Sequence, residues 1–292
     1  MSTWIVIKQT GLLKKPMPLE VILGENLCYG RFDGLRLEPE ELGERDFILY
    51  HPDHIGRGCV VTWNPREKHE IEIQLPVPMP EDELREVYDA VKRMTEYWHC
   101  TLEVDGEKQS PDHFLAGFGD MAQFHLRALT DFAQKVVRGE LGPLTLMSAM
   151  WPVVMGKAEA QEIAENPRYF GLWLHEVQSV DAYFVGPTFY KLGEDIVGKY
   201  LLLDNCPGIY PLKPYVPLGC IDPATGKQMQ CLTFGAMLAL EAQQGLLGEL
   251  TYAEFLARLA PHKVHRLDAG HILVDALTEQ EIRAMLQTDT TP

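Results

Sequence analysis

From Glu70 to Leu75 the chain reads Glu-Ile-Glu-Ile-Gln-Leu, a strict alternation of polar and apolar residues. Successive strand side chains point to opposite faces, so a period of two builds a sheet with one dry and one wet face. Such a sheet is antiparallel rather than parallel and buried on both sides. Cys59–Trp63 supplies the partner arm of a hairpin, with Asn64-Pro65-Arg66-Glu67 as the turn. Trp4–Ile7 and Phe47–Tyr50 read as further short strands, so the first 75 residues are mainly β.

At Pro80 the period changes. Pro suits a first helical turn, and Glu81, Asp82 and Glu83 suit its positive end. Leu84, Val87, Tyr88, Val91, Met94 and Trp98 then form an apolar stripe at helical spacing. A strand near Thr101–Val104 turns at Asp105-Gly106, and Ser110-Pro111 caps a second helix running toward Arg138. Lys157 to about Val180 is helical with an interruption at Pro167. Strands are expected at Ala182–Val185, Thr188–Tyr190 and Ile196–Leu203, with a turn at Gly193-Glu194-Asp195 and irregular loop over residues 204–230. Thr251 with Glu254, and Thr278 with Glu281, are capping boxes for two terminal helices. Between them, Lys263–Leu267 and His271–Val274 form a hairpin at Asp268-Ala269-Gly270.

The chain is therefore expected to be α+β, mainly antiparallel sheet with packed helices, in two subdomains, residues 1–140 and 141–292, meeting at Arg138–Pro143. With 46% hydrophobic residues among 292, it can bury a sizeable core. The 42 acidic against 26 basic residues leave a formal net charge of −16. Phosphate backbones and anionic membrane surfaces both demand Lys and Arg, so nucleic acid and membrane are not expected partners. Solubility is the simplest use of the charge, and a basic protein partner the sharper one. Six widely spaced cysteines without a Cys-x-x-Cys pair read as free thiols. The short apolar run near the N-terminus is not a signal peptide, and no stretch of about 18 apolar residues occurs, so a cytoplasmic location is expected.

Phosphate-loop, dinucleotide, zinc-protease and nucleophile-elbow motifs do not occur. Chemistry would have to assemble from scattered residues. His262, His265 and His271, with Asp268 and Asp275, are the densest candidate ligands for a divalent metal; solvated or hydrogen-bonded histidines explain them as simply. His51, Asp53, His54 and Arg57 follow a strand, where a His–carboxylate pair is conceivable but a turn is the first reading. Trp173 and His175, with Tyr183 beyond, could form a binding surface or an aromatic core beside a polar helix face. Tyr190, Tyr200, Tyr210 and Tyr215 could line a pocket, the basis for a small-ligand sensor.

Four stretches carry a family likeness: Leu49–Gly58, Trp151–Lys157, Leu174–Phe184 and Tyr210–Pro214. With them the chain resembles a bacterial family, domain of unknown function 4299, over most of its length. The resemblance implies a bacterial cytoplasmic protein and brings no catalytic residues to transfer. The leading expectation is a non-catalytic cytoplasmic binding protein engaging a basic partner, with no cofactor. A metal-dependent hydrolase using residues 262–275 and a small-ligand sensor are the alternatives.

Overall fold

The structure, a computed structural model, describes residues 2–10, 14–64, 66, 69–193, 195–217, 219–222, 225–240 and 245–287. The chain forms two compact units, Met1–Ser179 and Val180–Pro292. The Arg138–Pro143 turn lies within the first of them.

In the first unit the elements run β1 (Ser2–Lys8), α1 (Leu19–Leu23), β2 (Cys28–Phe32), β3 (Leu37–Pro39), β4 (Asp46–Tyr50), β5 (Cys59–Thr62) and β6 (Glu70–Pro76). They continue with α2 (Glu81–Trp98), β7 (Leu102–Val104), β8 (Glu107–Gln109), α3 (Pro111–Ala116), α4 (Phe118–Val137), β9 (Leu144–Leu146), β10 (Val153–Met155), α5 (Lys157–Glu165) and α6 (Tyr169–Gln178). Eight strands make one antiparallel sheet in the order β3-β2-β4-β5-β6-β1-β7-β8.

The alternation in β6 sets the dry face. Ile71 and Ile73 pair with Ile7 and Ile5 across β1, and all four are buried with Leu75. The stripe of α2 covers them, with Leu84, Val91 and Met94 fully excluded from water. Each such side chain contributes about 1.5–3 kcal/mol by leaving water. The opposite face, carrying Ile48, Val60 and Gln74, is partly open. The Asp105-Gly106 turn joining β7 to β8 has both residues at positive φ, 49° and 86°, the conformation for which Asp-Gly is favoured.

The hairpin arms fall where the alternation puts them, while its turn lies partly outside the described residues, as does Glu194. The helix expected from Ser110 to Arg138 is two: α3 ends at Gly117 and α4 starts at Phe118. The stretch after α4 is likewise broken at Pro167, between α5 and α6.

The second unit contains β11 (Tyr183–Phe184), β12 (Pro187–Leu192), β13 (Asp195–Leu203), β14 (Gly208–Pro211), β15 (Thr233–Leu240), β16 (Gly245–Thr251), α7 (Tyr252–Arg258), β17 (Val264–Arg266), β18 (His271–Val274) and α8 (Glu279–Leu286). Two four-stranded sheets run β11-β14-β18-β17 and β12-β13-β15-β16. The pairings β11–β14 and β13–β15 are parallel and the others antiparallel. Strand β14 corrects the expected loop over 204–230. Its Gly-Ile-Tyr-Pro is too short and proline-flanked to show a period, yet all four residues are buried. Both capping boxes form: the Thr251 and Thr278 hydroxyls accept the N–H of Glu254 and Glu281 at 3.2 and 3.3 Å.

The protein is thus α+β with antiparallel pairing predominant. Among the described residues no helix is long and apolar enough to cross a membrane.

Candidate functional site

The segment after β4 is tied down along its whole length. His51 Nδ1 accepts the N–H of Asp53 at 3.1 Å and so caps a 3₁₀ turn, Pro52–His54. Side chains three apart eclipse in a 3₁₀ turn, and the His51 and His54 rings accordingly stack with centroids 3.7 Å apart. The Ile55 N–H donates to His175 Nδ1 on α6 at 3.1 Å. The Gly56 carbonyl accepts from Gln178 Nε2 at 2.8 Å and from the Ala149 N–H at 3.2 Å. Glu83, in the first turn of α2, accepts the backbone N–H of Arg57 at 2.8 Å and of Gly58 at 2.6 Å.

The Arg57 guanidinium is buried. Its Nε donates to the Met147 carbonyl at 2.6 Å and Nη1 to the Pro78 carbonyl at 2.8 Å. Pro78 follows a cis peptide bond, and the next N–H, of Met79, donates to His125 Nδ1 on α4 at 2.9 Å. Burial pulls the guanidinium down to about 10, against the pull of the Glu83 charge, so it stays protonated at neutral pH. Burial pushes Glu83 up to about 7, opposed by the Arg57 and Gly58 N–H groups and the Arg57 charge. His125 is driven down to about 4, first by burial and then by Arg57. Burial, reinforced by Glu83, raises the Cys59 thiol and keeps it protonated.

A backbone N–H can only donate, so His51, His125 and His175 each accept at Nδ1. A neutral imidazole that accepts there carries its proton on Nε2. The His125 Nε2 is buried with no partner among the described residues. The same reasoning bears on metal binding. Among the described residues, His51, His54 and Glu86 bring one ligand atom each within 4.8 Å of one another. With Nδ1 occupied by the Asp53 N–H and Nε2 protonated, His51 has no lone pair to offer, so this donor set does not fit an ion as arranged.

On the open face of the sheet a cleft of about 500 Å³ is lined by Phe32, Ile48, Val60, Gln74 and Pro76 from the strands and by Arg57, Gly58, Met147 and Ser148 from the pinned loops. Gly58 is required here: its φ is +65°, and a Cβ would lie 2.6 Å from Ile48 Cγ2 and 3.2 Å from the Ala149 Cβ.

Three of the four stretches that carry the family likeness contribute to or adjoin this region: Leu49–Gly58, the His175–Gln178 part of α6, and the segment reaching Trp151. A family model described as a domain of unknown function (DUF4299) matches residues 2–285 of the 292. The chain belongs to this family. No curated protein and no solved structure matches this DUF4299 chain.

Of the residues singled out from sequence, the fold gathers His51, His54, Arg57 and His175. Asp53 is exposed and contributes its N–H. Trp173 packs in the core beside Phe170, and Tyr183 is exposed on β11 in the second unit. His262, His265 and His271 do not share an ion-sized site: His262 is exposed, His265 pairs with Asp275 at 3.0 Å, and His271 is buried against Asp268 at 3.0 Å. Tyr200 and Tyr210 are core residues whose hydroxyls donate to the carbonyls of Tyr215 and Leu201. Sequence reasoning passed over Glu83 as a helix-end charge and did not raise His125. Each sits at helical spacing within an apolar stripe, Glu83 one turn before Val87 and His125 one turn before Leu129, and that placement was the available signal.

Proposed function

We propose that this chain is a non-catalytic binding protein whose first unit holds a small molecule in the cleft on the open sheet face. The observation that carries the reading is the cleft itself, a concave, largely apolar site of about 500 Å³ walled by a loop fixed at every turn. Small-molecule sites are typically of this size and pre-formed. The titratable groups beside it are engaged in holding the fold: Glu83 on two backbone donors, Arg57 on two carbonyls, Cys59 as a protonated thiol. Holding rather than turnover suits such a set. Six cysteines, none of them in a disulfide among the described residues, suit a reducing compartment such as the cytoplasm.

The test is a thermal-shift screen of the full chain against its Val60→Trp variant, which fills the cleft from the exposed side of β5. Ligands of the cleft raise the melting temperature of the native chain and lose that effect in the variant. Shifts of equal size in both proteins would remove the cleft from the reading.

A basic partner remains a second reading. A groove of about 470 Å³ is lined by the carboxylates of Asp105 and Asp120 beside Tyr88, Phe114, Met121 and Phe124. Carboxylates over aromatic faces suit a Lys or Arg side chain. Binding of an arginine-rich peptide that weakens with salt and is lost in Asp105→Asn/Asp120→Asn supports it; binding unchanged in that variant counts against it.

A further inference from the structure

We propose that the group recognised in the cleft is a carboxylate on an apolar body, bound by the free edge of the Arg57 guanidinium. The inference rests on the cleft being the binding site and names the class of ligand it takes.

A guanidinium has five N–H donors in a planar fork. Those of Arg57 are committed at Nε, to Met147, and at Nη1, to Pro78; Nη2 donates to no described residue. The residue is only 9% exposed and lines the cleft. Glu83, whose charge acts on it, does not complete it. Glu83 turns both carboxylate oxygens to the backbone N–H groups of Arg57 and Gly58 rather than to the guanidinium. Buried charges are ordinarily paired, because an unpaired one loses its hydration with nothing to replace it. A buried cation with donors left over, on a residue that lines a cavity, has the makings of an anion receptor. It is also pre-organised, since two carbonyls fix the fork and its side-chain entropy is spent before any ligand arrives.

The rest of the cleft narrows the class. Phe32, Ile48, Val60 and Pro76 give it an apolar floor, which asks for a hydrocarbon or aromatic body. Asp46 also lines it, and the chain carries a net charge of −16. Both repel ligands with several negative charges, so a monocarboxylate fits better than a nucleotide or diphosphate. Carboxylate also matches the edge of a guanidinium in plane.

The test is calorimetric titration of the full chain with octanoate, its neutral isostere octanamide and the dianionic octyl phosphate. The native chain is expected to bind octanoate at least tenfold tighter than either of the others. Val60→Trp is expected to abolish binding, and Arg57→Lys to erase most of the preference over octanamide. Because Arg57 also holds the fold, a measurement without mutation stands beside the variants: NMR of guanidino-labelled arginine in the native chain, where octanoate should move the Arg57 resonance and octanamide should not. Equal binding of octanoate and octanamide would overturn the carboxylate assignment and leave the cleft as a site for neutral ligands. Octanoate binding that persists in Val60→Trp would overturn the cleft as well. Tighter binding of octyl phosphate, or no binding of octanoate at millimolar concentration, would equally overturn the assignment.

Discussion

Glu83 meets Arg57 through the main chain: its carboxylate accepts the Arg57 N–H at 2.8 Å, while the guanidinium of the same arginine donates to two carbonyls elsewhere. One carboxylate thereby fixes the loop at Arg57 and Gly58 without neutralising the cation in a direct fork. Removing it leaves two buried N–H donors without an acceptor. Glu83→Ala is expected to cost about 2–6 kcal/mol, about 1–3 for each of the two buried donors left unsatisfied. Glu83→Gln keeps one acceptor oxygen and should cost less, about 1–3 kcal/mol. Hydrogen exchange at the Arg57 and Gly58 amides reads the effect directly. Protection unchanged in Glu83→Ala would show that the carboxylate does not hold the loop.

The pH dependence of stability follows from two buried groups that oppose each other. His125 has its folded pKa depressed from 6.5 to about 4, so its contribution is present above pH 6.5 and is lost as pH falls toward 4. Glu83 has its folded pKa raised from 4.5 to about 7, so its contribution is present below pH 4.5 and is lost as pH rises toward 7. Each shift corresponds to roughly 3 kcal/mol at 1.36 kcal/mol per pKa unit, and between pH 4.5 and 6.5 their slopes have opposite signs. From these two groups, the melting temperature should vary little across that window. His125→Asn removes one arm, and the variant should then lose stability as pH rises from 5 to 7. A variant whose melting temperature climbs over that range would contradict the Glu83 assignment.

How far the fold was legible depended on the period. The Ile71, Ile73, Leu75 alternation and the α2 stripe each exposed a whole face to inspection, and both elements fall where the pattern puts them. Strand β14 has no room for a period between Pro207 and Pro211, and its existence depends on pairing with β11 and β18. The candidate site was half legible. His51, His54, Arg57 and His175 drew notice as polar residues, but what joins them is backbone geometry: N–H groups at Asp53, Ile55, Arg57 and Gly58 aimed at side chains far away in sequence. Residue types do not announce that. The histidines at 262–275 misled for the converse reason, since closeness along a hairpin placed His265 outside and His271 inside.

Gly58 and Gly106 separate backbone strain from crowding. Both have positive φ, but a Cβ on Gly106 meets nothing within 4 Å, whereas one on Gly58 meets Ile48 and Ala149. Gly106→Ala should cost about 1–2 kcal/mol, the left-handed penalty alone. Gly58→Ala adds overpacking of about 1–3 kcal/mol at a residue that lines the cleft. Urea unfolding of the two variants should rank them in that order; equal losses would mean that the loop relaxes away from Ile48.

In the second unit, the two histidine–aspartate pairs of the β17–β18 hairpin should differ sharply in their effect on stability. His265 and Asp275 lie 3.0 Å apart with side chains 53% and 44% exposed, where water screens the pair. His265→Ala should therefore cost under about 1 kcal/mol. Asp268 is wholly buried, and its Oδ1 accepts the N–H groups of Gly270 and His271, each at 2.7 Å, as well as facing His271 Nδ1 at 3.0 Å. Asp268→Ala strands two turn donors and the imidazole together, for an expected loss of about 3–5 kcal/mol. Asp268→Asn, which retains an acceptor oxygen for the turn, should recover part of that loss. Chemical denaturation of the full chain, followed by exchange at the Ile272 and Leu273 amides, distinguishes the pairs. A His265→Ala loss as large as that of Asp268→Ala would mean that the exposed pair, and not the buried turn, holds the hairpin.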